Sequence, residues 1–162
     1  MSTKDNLSQA FAGESQANRK YLCFAEQAEK DGLTGVARLF RATAEAETIH
    51  AFAEFKANGG VGSTADNLKA AKEGETYEFT SMYPPMIEAA KAEGNDLAAR
   101  IFHNANEAEK VHAKLYEEAL ANLDKKEDVH YFLCPSCGFI AKSSAPEACP
   151  ICGAKGASFR EF

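Results

Sequence analysis

The sequence predicts an all-α four-helix bundle followed by a small, β-rich metal-binding domain. Three features of the 162-residue chain support this fold class. Residues 1–123 are rich in Ala, Glu, Lys and Leu, which favour long helices. Segments rich in Gly and polar residues divide that region into four helices. Beyond residue 129 the composition changes to aromatics, Cys, Gly and Pro, which is typical of a compact metal knuckle.

The first two breaks end the first and second helices and mark the start of the third. The segment KDGLTG at 30–35 predicts that the first helix ends at about residue 31. The segment NGGVGSTAD at 58–66 ends the second helix. The same segment also supplies three candidate N-caps for the third helix, Ser63, Thr64 and Asp66.

The remaining breaks complete the domain plan. The segment AEGND at 92–96 ends the third helix and offers Asp96 as the cap of the fourth. Pro84 and Pro85 lie inside the third helix and should kink or locally open it. The predicted domains are the bundle at 1–123, a polar linker at 124–129 and the metal domain at 130–162.

Composition excludes several classes of protein. A net charge of -6 offers no basic patch for nucleic acid or for an anionic membrane. The opening residues MSTKDNLSQA lack the apolar core of a secretory signal, and no run approaches the roughly 20 apolar residues of a membrane span. We therefore expect a cytoplasmic protein with neither nucleic-acid nor membrane partners.

An internal repeat relates the two halves of the predicted bundle. Residues 37–51, ARLFRATAEAETIHA, align with residues 99–113, ARIFHNANEAEKVHA, and eight of the fifteen positions are identical. The first and third helices echo each other more weakly, through AGES at 12–15 and EGET at 73–76. Glu78 breaks the repeat, because Ala17 stands at its equivalent position.

The repeat duplicates a Glu-x-x-His pair that faces the predicted core. Residues at i and i+3 share one helix face, so each pair directs a carboxylate and an imidazole to one point. Two such pairs and one Glu from each remaining helix form the ligand set of a carboxylate-bridged di-iron or di-manganese bundle. Two divalent cations would be neutralised by these carboxylates. The expected ligands are Glu14, Glu47, His50, Glu75, Glu109 and His112.

A structural role is the alternative for each of these residues taken singly. A lone buried His is more often a core residue than a ligand, and a Glu on an Ala-rich helix is usually solvated. Duplication of the whole pattern on the inward face argues against both alternatives. Outside that pattern we expect solvated glutamates, histidines without a metal and a packing cysteine, namely Glu45, Glu54, Glu107, Glu117, His103, His130 and Cys23.

The last thirty residues carry a second metal motif. CPSCG at 134–138 and CPICG at 149–153 are two Cys-x-x-Cys knuckles, a strong signal for a tetrahedral site made by Cys134, Cys137, Cys149 and Cys152. Glycine after each knuckle allows a tight turn that directs amide N–H groups at the sulfurs. In isolation zinc is the first expectation, but beside a redox-capable di-metal bundle an iron centre would provide a one-electron relay.

Taken together, these motifs resemble the rubrerythrin family over nearly the whole chain. The resemblance is carried by FAGESQANRKYL, EAETIHA, GETYEFTSMYP, EAEKVHAKLY and the rubredoxin-like CPSCG…APEACPICGAKGASF. It implies a ferritin-like bundle with two non-haem irons and a rubredoxin-like domain with one iron, where zinc or manganese can substitute.

The resemblance also implies individual roles. Glu47 and Glu109 would bridge the two irons, with Glu14 on the first and Glu75 with His112 on the second. Glu78 and His50 would be alternative ligands of the first iron. Tyr21 and Tyr83 match tyrosines that hydrogen-bond around the site, and Glu78, Tyr21 or Tyr83 could assist proton delivery.

The function implied is reduction of hydrogen peroxide to water, with electrons delivered through the Fe(Cys)4 centre from an external reductase. Two other functions stay open. A ferroxidase or iron-storage protein would share the bundle, although it needs no cysteine relay. A zinc-ribbon binding module on a helical scaffold would share the cysteine knuckles.

Chain length suggests a dimer. In a bundle with one long crossover, the second and third helices run parallel, and the connection between their ligands is barely long enough. We therefore expect helices 1–2 to pack with helices 3–4 of a second chain. The short linker also predicts that the cysteine centre lies far from its own chain's di-metal site. A head-to-tail homodimer, which the resemblance implies, would let the partner's tail approach instead.

Overall fold

The structure of the chain, a computed structural model, describes residues 2–162. These residues form two compact units, one that ends at Gly62 and one that comprises Ser63–Phe162. The helices and strands are α1 (Thr3–Lys30), α2 (Thr34–Ala57), α3 (Thr64–Tyr77), a π-helix (Glu78–Met82), α4 (Tyr83–Ala92), α5 (Asp96–Ala121), β1 (Tyr131–Leu133), β2 (Ile140–Lys142) and β3 (Arg160–Glu161), with short 3-10 turns at Leu123–Lys125 and Gly156–Ser158.

The first unit is a helical hairpin. The chain reverses at Gly32, whose φ of 74° permits a left-handed turn that caps α1. Its core is a seam of small residues along α1 and α2, where Ala25 and Ala44 are 0% and 1% exposed. The Asn18 amide crosses this seam and donates to the carbonyl of Ala44 and the hydroxyl of Thr48. Small side chains allow the two helices to approach closely.

In the second unit α3 and α4 pack on α5, and the strands follow. The buried side chains of these helices are again mostly alanines, with Ile87 the largest of them. The strands form an antiparallel sheet in the order β2-β1-β3, with Phe132 of β1 opposite Ala141 and Glu161. The sheet lies beside the last turns of α5, where Lys142 contacts Glu118.

The third predicted helix is interrupted by the π-helix just before its two prolines. Tyr83 donates its N–H to the carbonyl of Glu78, five residues earlier, instead of the usual four. Pro84 and Pro85 have no N–H to continue a regular ladder, which gives a physical reason for the break. The wider turn also accommodates one extra residue: Tyr83 follows Glu75 by eight positions, whereas Tyr21 follows Glu14 by seven.

The four predicted helical segments are all present, with two differences of detail. The third is divided into α3, the π-helix and α4, as the prolines predict. The cap of α5 is Asn95, whose side chain accepts from the N–H of Ala98, so the assignment of the cap to Asp96 was wrong by one residue. No helix within residues 2–162 is long and apolar enough to cross a membrane.

Candidate metal centres

Glu14 of α1 meets Glu47 and His50 of α2 in the first unit, and we call these three residues the first cluster. Their ligand atoms lie within 4.8 Å of one another. His50 Nδ1 stands 2.9 Å from Glu47 Oε2. A hydrogen bond with Glu47, followed by burial and then by the charges of Glu47 and Glu54, raises the pKa of Glu14. The two carboxyl groups are thus close enough to compete for one proton or share one cation.

Glu75 of α3 meets Glu109 and His112 of α5 in the second unit, and these form the second cluster. His112 Nδ1 lies 2.6 Å from Glu109 Oε2 and 3.7 Å from Glu75 Oε1. Burial, and then a hydrogen bond with Glu109, raises the pKa of Glu75 to about 7. Burial opposes ionisation of Glu109 as well, but hydrogen bonds with His112 and Glu75 lower its pKa overall.

The second cluster is connected directly to the cysteine domain. His112 Nε2 lies 2.8 Å from the backbone carbonyl oxygen of Gly138, the residue after Cys137. Since a carbonyl only accepts, Nε2 carries the proton in this contact and donates it. Nδ1 faces Glu75 and hydrogen-bonds to Glu109, so it is the nitrogen that a metal ion between these carboxylates would take as its ligand. A histidine held by its second nitrogen in this way is the usual arrangement at metal sites.

This contact corrects the prediction that the chain's own cysteine centre stands far from its own ligands. The prediction extended the linker away from α5, whereas the structure turns it back. A 3-10 turn at Leu123–Lys125 is followed by Lys126 in the left-handed region at φ 50°. The sheet then packs beside α5, so Gly138 reaches His112 of the same chain and no partner is needed for this approach.

Two tyrosines and Glu78 surround the second cluster. Burial, followed by the charge of Glu109, raises the pKa of Glu78. Burial and then the nearby carboxylates also raise the pKa values of Tyr83 and Tyr116. Both phenols therefore remain protonated donors at neutral pH. Tyr116 was not among the sequence-predicted site residues, although it follows His112 by one helical turn.

Tyr21 and Glu54 belong to the environment of the first cluster. The ring of Tyr21 packs against Phe24 and Phe40, with centroids 6.3 and 6.2 Å away. Glu54 was expected to be solvated, but it is half-buried and its Oε2 has no hydrogen-bond partner within residues 2–162. The signal was present in the sequence, since Glu54 lies seven residues after Glu47, on the same helix face.

The four cysteines converge as predicted. Cys134 Sγ lies 3.6 Å from Cys152 Sγ, and Cys137 Sγ lies 3.5 Å from Cys149 Sγ. Thiolates bound at about 2.3 Å to one tetrahedral ion stand about 3.8 Å apart, so the cysteines fit such an ion and not a disulfide.

A backbone amide supports the thiolate form of Cys152. Burial opposes ionisation of Cys152, but a hydrogen bond from the N–H of Ala154 helps to lower its pKa to about 7. Gly138 and Gly153 adopt φ values of 83° and 76°, which form the tight turns that the sequence predicted. Metal binding would deprotonate the remaining sulfurs.

The carboxylate clusters also fit cations. Each offers two carboxylates and one imidazole, the donors that iron and manganese accept. Glu14 faces Glu47, and Glu75 faces Glu109. A divalent ion between each pair would relieve the repulsion of the facing carboxylates. All six predicted bundle ligands are thus found in two sets of three. Bridging by Glu47 and Glu109, and Glu78 as an alternative ligand, stay predictions.

An apolar cavity adjoins the second cluster. Its volume is about 580 Å³, and Glu75 and His112 are among its lining residues. The rest of the lining comes from α3, α5 and the sheet, namely Leu68, Leu115, Tyr116, Ala119, Tyr131, Leu133, Ile140 and Phe162. The cavity is large enough to admit a small molecule to the edge of the ligand set.

Comparison with protein families and curated proteins gives matches over nearly the whole chain. The profile of the Rubrerythrin family matches residues 5–120, and that of the rubrerythrin rubredoxin-like domain matches residues 132–160. Rubrerythrin-2 of Clostridium acetobutylicum is 38% identical, covering 99% of this chain and 96% of its own length. Nigerythrin of Nitratidesulfovibrio vulgaris is 41% identical, covering 93% of this chain and 82% of its own length.

Solved structures of nigerythrin share the fold. The partially reduced state aligns with a TM-score of 0.62 at 38% identity, covering 100% of this chain and 87% of that one. The fully reduced state, described as all ferrous, aligns with the same TM-score and coverage. The predicted fold class, a four-helix bundle with a small four-cysteine domain, is confirmed by these matches.

Proposed function

We propose that this chain, which belongs to the rubrerythrin family, reduces hydrogen peroxide to water with iron at its donor sets. The observation that carries the proposal is the hydrogen bond between His112 and Gly138, which joins the carboxylate cluster to the cysteine cluster. A storage protein has no use for such a connection, whereas a peroxidase must be re-reduced after each turnover. The relative that was solved in an all-ferrous state supports iron as the metal.

The donor set decides what bound metal would do. Ferrous ions held by the two clusters would supply the two electrons that, with two protons, convert one peroxide into two water molecules. Glu75, Glu109 and His112 Nδ1 would hold one ion, and Glu14, Glu47 and His50 Nδ1 the other. The donors are mostly carboxylates, which compensate the charge of the cations inside the protein.

The residues around the second cluster can deliver the protons. Tyr83 keeps its phenolic proton at neutral pH because burial and the facing carboxylates raise its pKa. Glu78 also has a raised pKa, since burial and Glu109 disfavour its anion. A carboxyl with a raised pKa and a protonated phenol beside the cluster are suitable proton donors for cleaving an O–O bond.

The path for electrons runs through three residues. Cys137 is bonded to Gly138, and the Gly138 carbonyl accepts the hydrogen bond of His112. Nδ1 on the other side of the same ring faces Glu75 and Glu109. An iron tetrathiolate changes oxidation state by one electron, which zinc cannot do. Electrons would enter the cysteine centre from a separate reductase.

Reoxidation of the reduced protein tests the peroxidase proposal against the ferroxidase alternative. The anaerobically reduced protein should react with stoichiometric hydrogen peroxide much faster than with air-saturated buffer. Faster oxidation by dioxygen, with growth of a mineral core under excess ferrous iron, would overturn the proposal. A Glu45→Gln variant, altered at an exposed residue two positions before Glu47, should behave as wild type and serves as the control.

The visible spectrum tests the zinc-ribbon alternative. A ferric tetrathiolate is red, whereas zinc is colourless. Protein isolated anaerobically from its own source should be red when oxidised and bleach on reduction. Colourless protein with one zinc for each set of four cysteines would favour the binding module.

A further inference from the structure

We infer that the apolar cavity beside the second cluster binds the hydrocarbon body of an organic hydroperoxide and presents its O–O group to Glu75 and His112. The inference rests on the proposed function, which it deepens by naming a second class of substrate. Reduction would break the O–O bond of the hydroperoxide ROOH. With two protons and the two electrons of the reduced clusters, the products are one alcohol, ROH, and one water molecule.

Faces of three regular elements form most of the wall of the cavity. The face of α5 carries lining residues at helical spacing, namely His112, Leu115, Tyr116 and Ala119. On α3, Leu68 and Glu75 are seven residues apart and also share one helix face. On β1, Tyr131 and Leu133 are two residues apart, which places both side chains on one side of the sheet. The cavity is therefore built into the fold of this unit and not formed by a loop.

Polar contacts join the walls of the cavity to α5. Lys72 of α3 forms an ion pair with Glu117 of α5, with Nζ and Oε1 2.6 Å apart. Lys142 of β2 forms a second ion pair with Glu118 of α5, at 3.4 Å between Nζ and Oε2. The hydrogen bond between the second cluster and the cysteine domain is a third contact of this kind. Because each wall is connected to the same helix, the space is formed before any ligand binds.

The lining of the cavity favours an apolar occupant. Its volume of about 580 Å³ lies within the range of about 300–1,000 Å³ that is usual for ligand pockets. Apart from Glu75, His112 and two phenol groups, the side chains that line it are hydrocarbon. Water finds few hydrogen-bond partners on such a wall. Hydrogen peroxide is a small polar molecule and gains nothing from apolar surface, so the cavity suits a substrate with a hydrocarbon body.

The carboxylate and imidazole groups of the cavity lie together at one end. Glu75 and His112 line this end, and Nδ1 of His112 lies 3.7 Å from Oε1 of Glu75. The phenol of Tyr116 faces the same groups, since burial and then the charges of Glu75 and Glu109 raise its pKa. This phenol keeps its proton and can donate a hydrogen bond to an oxygen of the hydroperoxide. The O–O group therefore fits at the polar end, with the hydrocarbon in the rest of the cavity.

Phe162 marks the side on which the cavity opens to solvent. This residue lines the cavity, yet it is 68% exposed. Two backbone hydrogen bonds with Tyr131, of 2.9 and 2.8 Å, attach it to β1. The guanidinium carbon of Arg160 lies 5.7 Å from the centroid of its ring. A hydrocarbon substrate that enters here meets an aromatic ring whose backbone is held in place.

Reoxidation rates with three peroxides test the inference. The anaerobically reduced, iron-loaded full chain is mixed in stopped flow with cumene hydroperoxide, tert-butyl hydroperoxide or hydrogen peroxide. The first two have the same tertiary hydroperoxide group and differ in the size of the hydrocarbon body. Cumene hydroperoxide should react at least about tenfold faster than tert-butyl hydroperoxide, because its body fills more of the apolar cavity. Equal rate constants for these two would overturn the inference.

Filling the cavity at Ala119 should change the selectivity between peroxides. In Ala119→Leu the ratio of the rate constants for cumene hydroperoxide and hydrogen peroxide should fall at least about tenfold, and in Ala119→Val by a smaller factor. Ala121→Leu is the matched control, because Ala121 is exposed on the same helix and is not among the lining residues. The tetrathiolate absorbance reports that each variant is folded. Wild-type ratios in both Ala119 variants would contradict the inference.

Binding of cumyl alcohol, the product of cumene hydroperoxide, separates this inference from the proposed function. Calorimetric titration of the oxidised iron protein should show saturable binding, which Ala119→Leu weakens at least about tenfold and Ala121→Leu leaves unchanged. Reaction with hydrogen peroxide but no binding of the alcohol would overturn the inference and leave the proposed function standing. Binding of the alcohol without oxidation by any of the three peroxides would reject the proposed function and, with it, organic hydroperoxides as substrates.

Discussion

The two carboxylate clusters have the same residue types at the same spacing, yet their histidines are held differently. The side chain of His112 is 16% exposed and is fixed at both nitrogens, by Glu109 and by Gly138. The side chain of His50 is 57% exposed and hydrogen-bonds through Nδ1 to Glu47. The repeated motif therefore places the same residue types in both clusters, but the hydrogen bonds that hold the two histidines differ. The second cluster is the better preorganised metal site, and it is the one connected to the cysteines.

The largest expected effect is loss of the cysteine relay. Replacement Cys134→Ser should abolish the red tetrathiolate absorbance and continuous peroxide turnover, because the oxidised clusters could no longer be re-reduced. One oxidation of the pre-reduced clusters by peroxide should persist. Stopped-flow and steady-state assays measure the two steps separately.

Cys23 supplies the control for this variant. It lies outside the cysteine cluster, and it is exposed, so the expectation of a packing cysteine was wrong. Cys23→Ser should retain both the absorbance and the turnover. Undiminished turnover in Cys134→Ser would show that electrons reach the clusters by another path.

Removing each histidine in turn measures the difference between the clusters. His112→Ala loses a ligand and its anchored support, so we expect affinity for the tighter-binding ion to fall at least about 100-fold. His50→Ala loses a ligand that is exposed and less constrained, and a decrease of about 10-fold is expected. Anaerobic titration with cobalt, followed by its visible absorbance, determines both constants. Equal losses would contradict the ranking of the clusters.

A pair of glycines tests the contact between the cysteine domain and the second cluster. Gly138 and Gly153 have φ values of 83° and 76°, and an added Cβ meets nothing within 4 Å at either position. Replacement of either by Ala should cost about 1–2 kcal/mol of stability through backbone strain.

Only Gly138→Ala should slow electron transfer from the reduced cysteine centre to the oxidised clusters, because backbone strain at this position displaces the carbonyl that accepts from His112. A decrease of several-fold, seen by flash reduction or stopped flow, is expected. The same decrease in Gly153→Ala would assign the effect to strain in the knuckles and not to the hydrogen bond.

The smallest expected effect is a pH dependence of the metal-free protein. Burial and then Glu109 raise the pKa of Glu75 to about 7, above its unfolded value of 4.5. The protonated carboxyl therefore contributes stability that is fully present below the unfolded value and is lost as the pH rises through about 7. Urea unfolding at fixed protein concentration should show this loss between about pH 5 and pH 8.

Glu75→Gln should reduce that loss by about 1–2 kcal/mol, since the amide does not ionise. Glu73→Gln, at an exposed position on the same helix, should follow the wild-type curve. Identical curves for all three proteins would show that the carboxyl of Glu75 is not held protonated by its surroundings.

Local pattern was sufficient to predict which carboxylate and imidazole side chains converge, but not what surrounds them. Helix periodicity places Glu47 and His50 on one face, and the repeat then identifies Glu109 and His112 without any knowledge of packing. The same periodicity would also have placed Glu54 on that face, had it been extended by one more turn. Long helices of strong formers make such predictions reliable.

Contacts between distant segments could not be predicted in this way. His112 and Gly138 are 26 residues apart, and their contact depends on the direction in which the chain leaves α5. That direction is set by Lys126 at φ 50°, a conformation that the sequence of the linker does not specify. Similarly, the prolines predict a break in the third helix, but not that the break is one π-turn at Glu78–Met82.

The most direct test follows the colour of the cysteine centre when the fully reduced protein meets peroxide. If the second cluster mediates the reaction, the red ferric tetrathiolate should form rapidly in the wild type. In Glu109→Ala, which retains all four cysteines, it should form at least tenfold more slowly. Equal rates in the two proteins would show that peroxide oxidises the cysteine centre directly, and would contradict a single redox unit joined at His112 and Gly138.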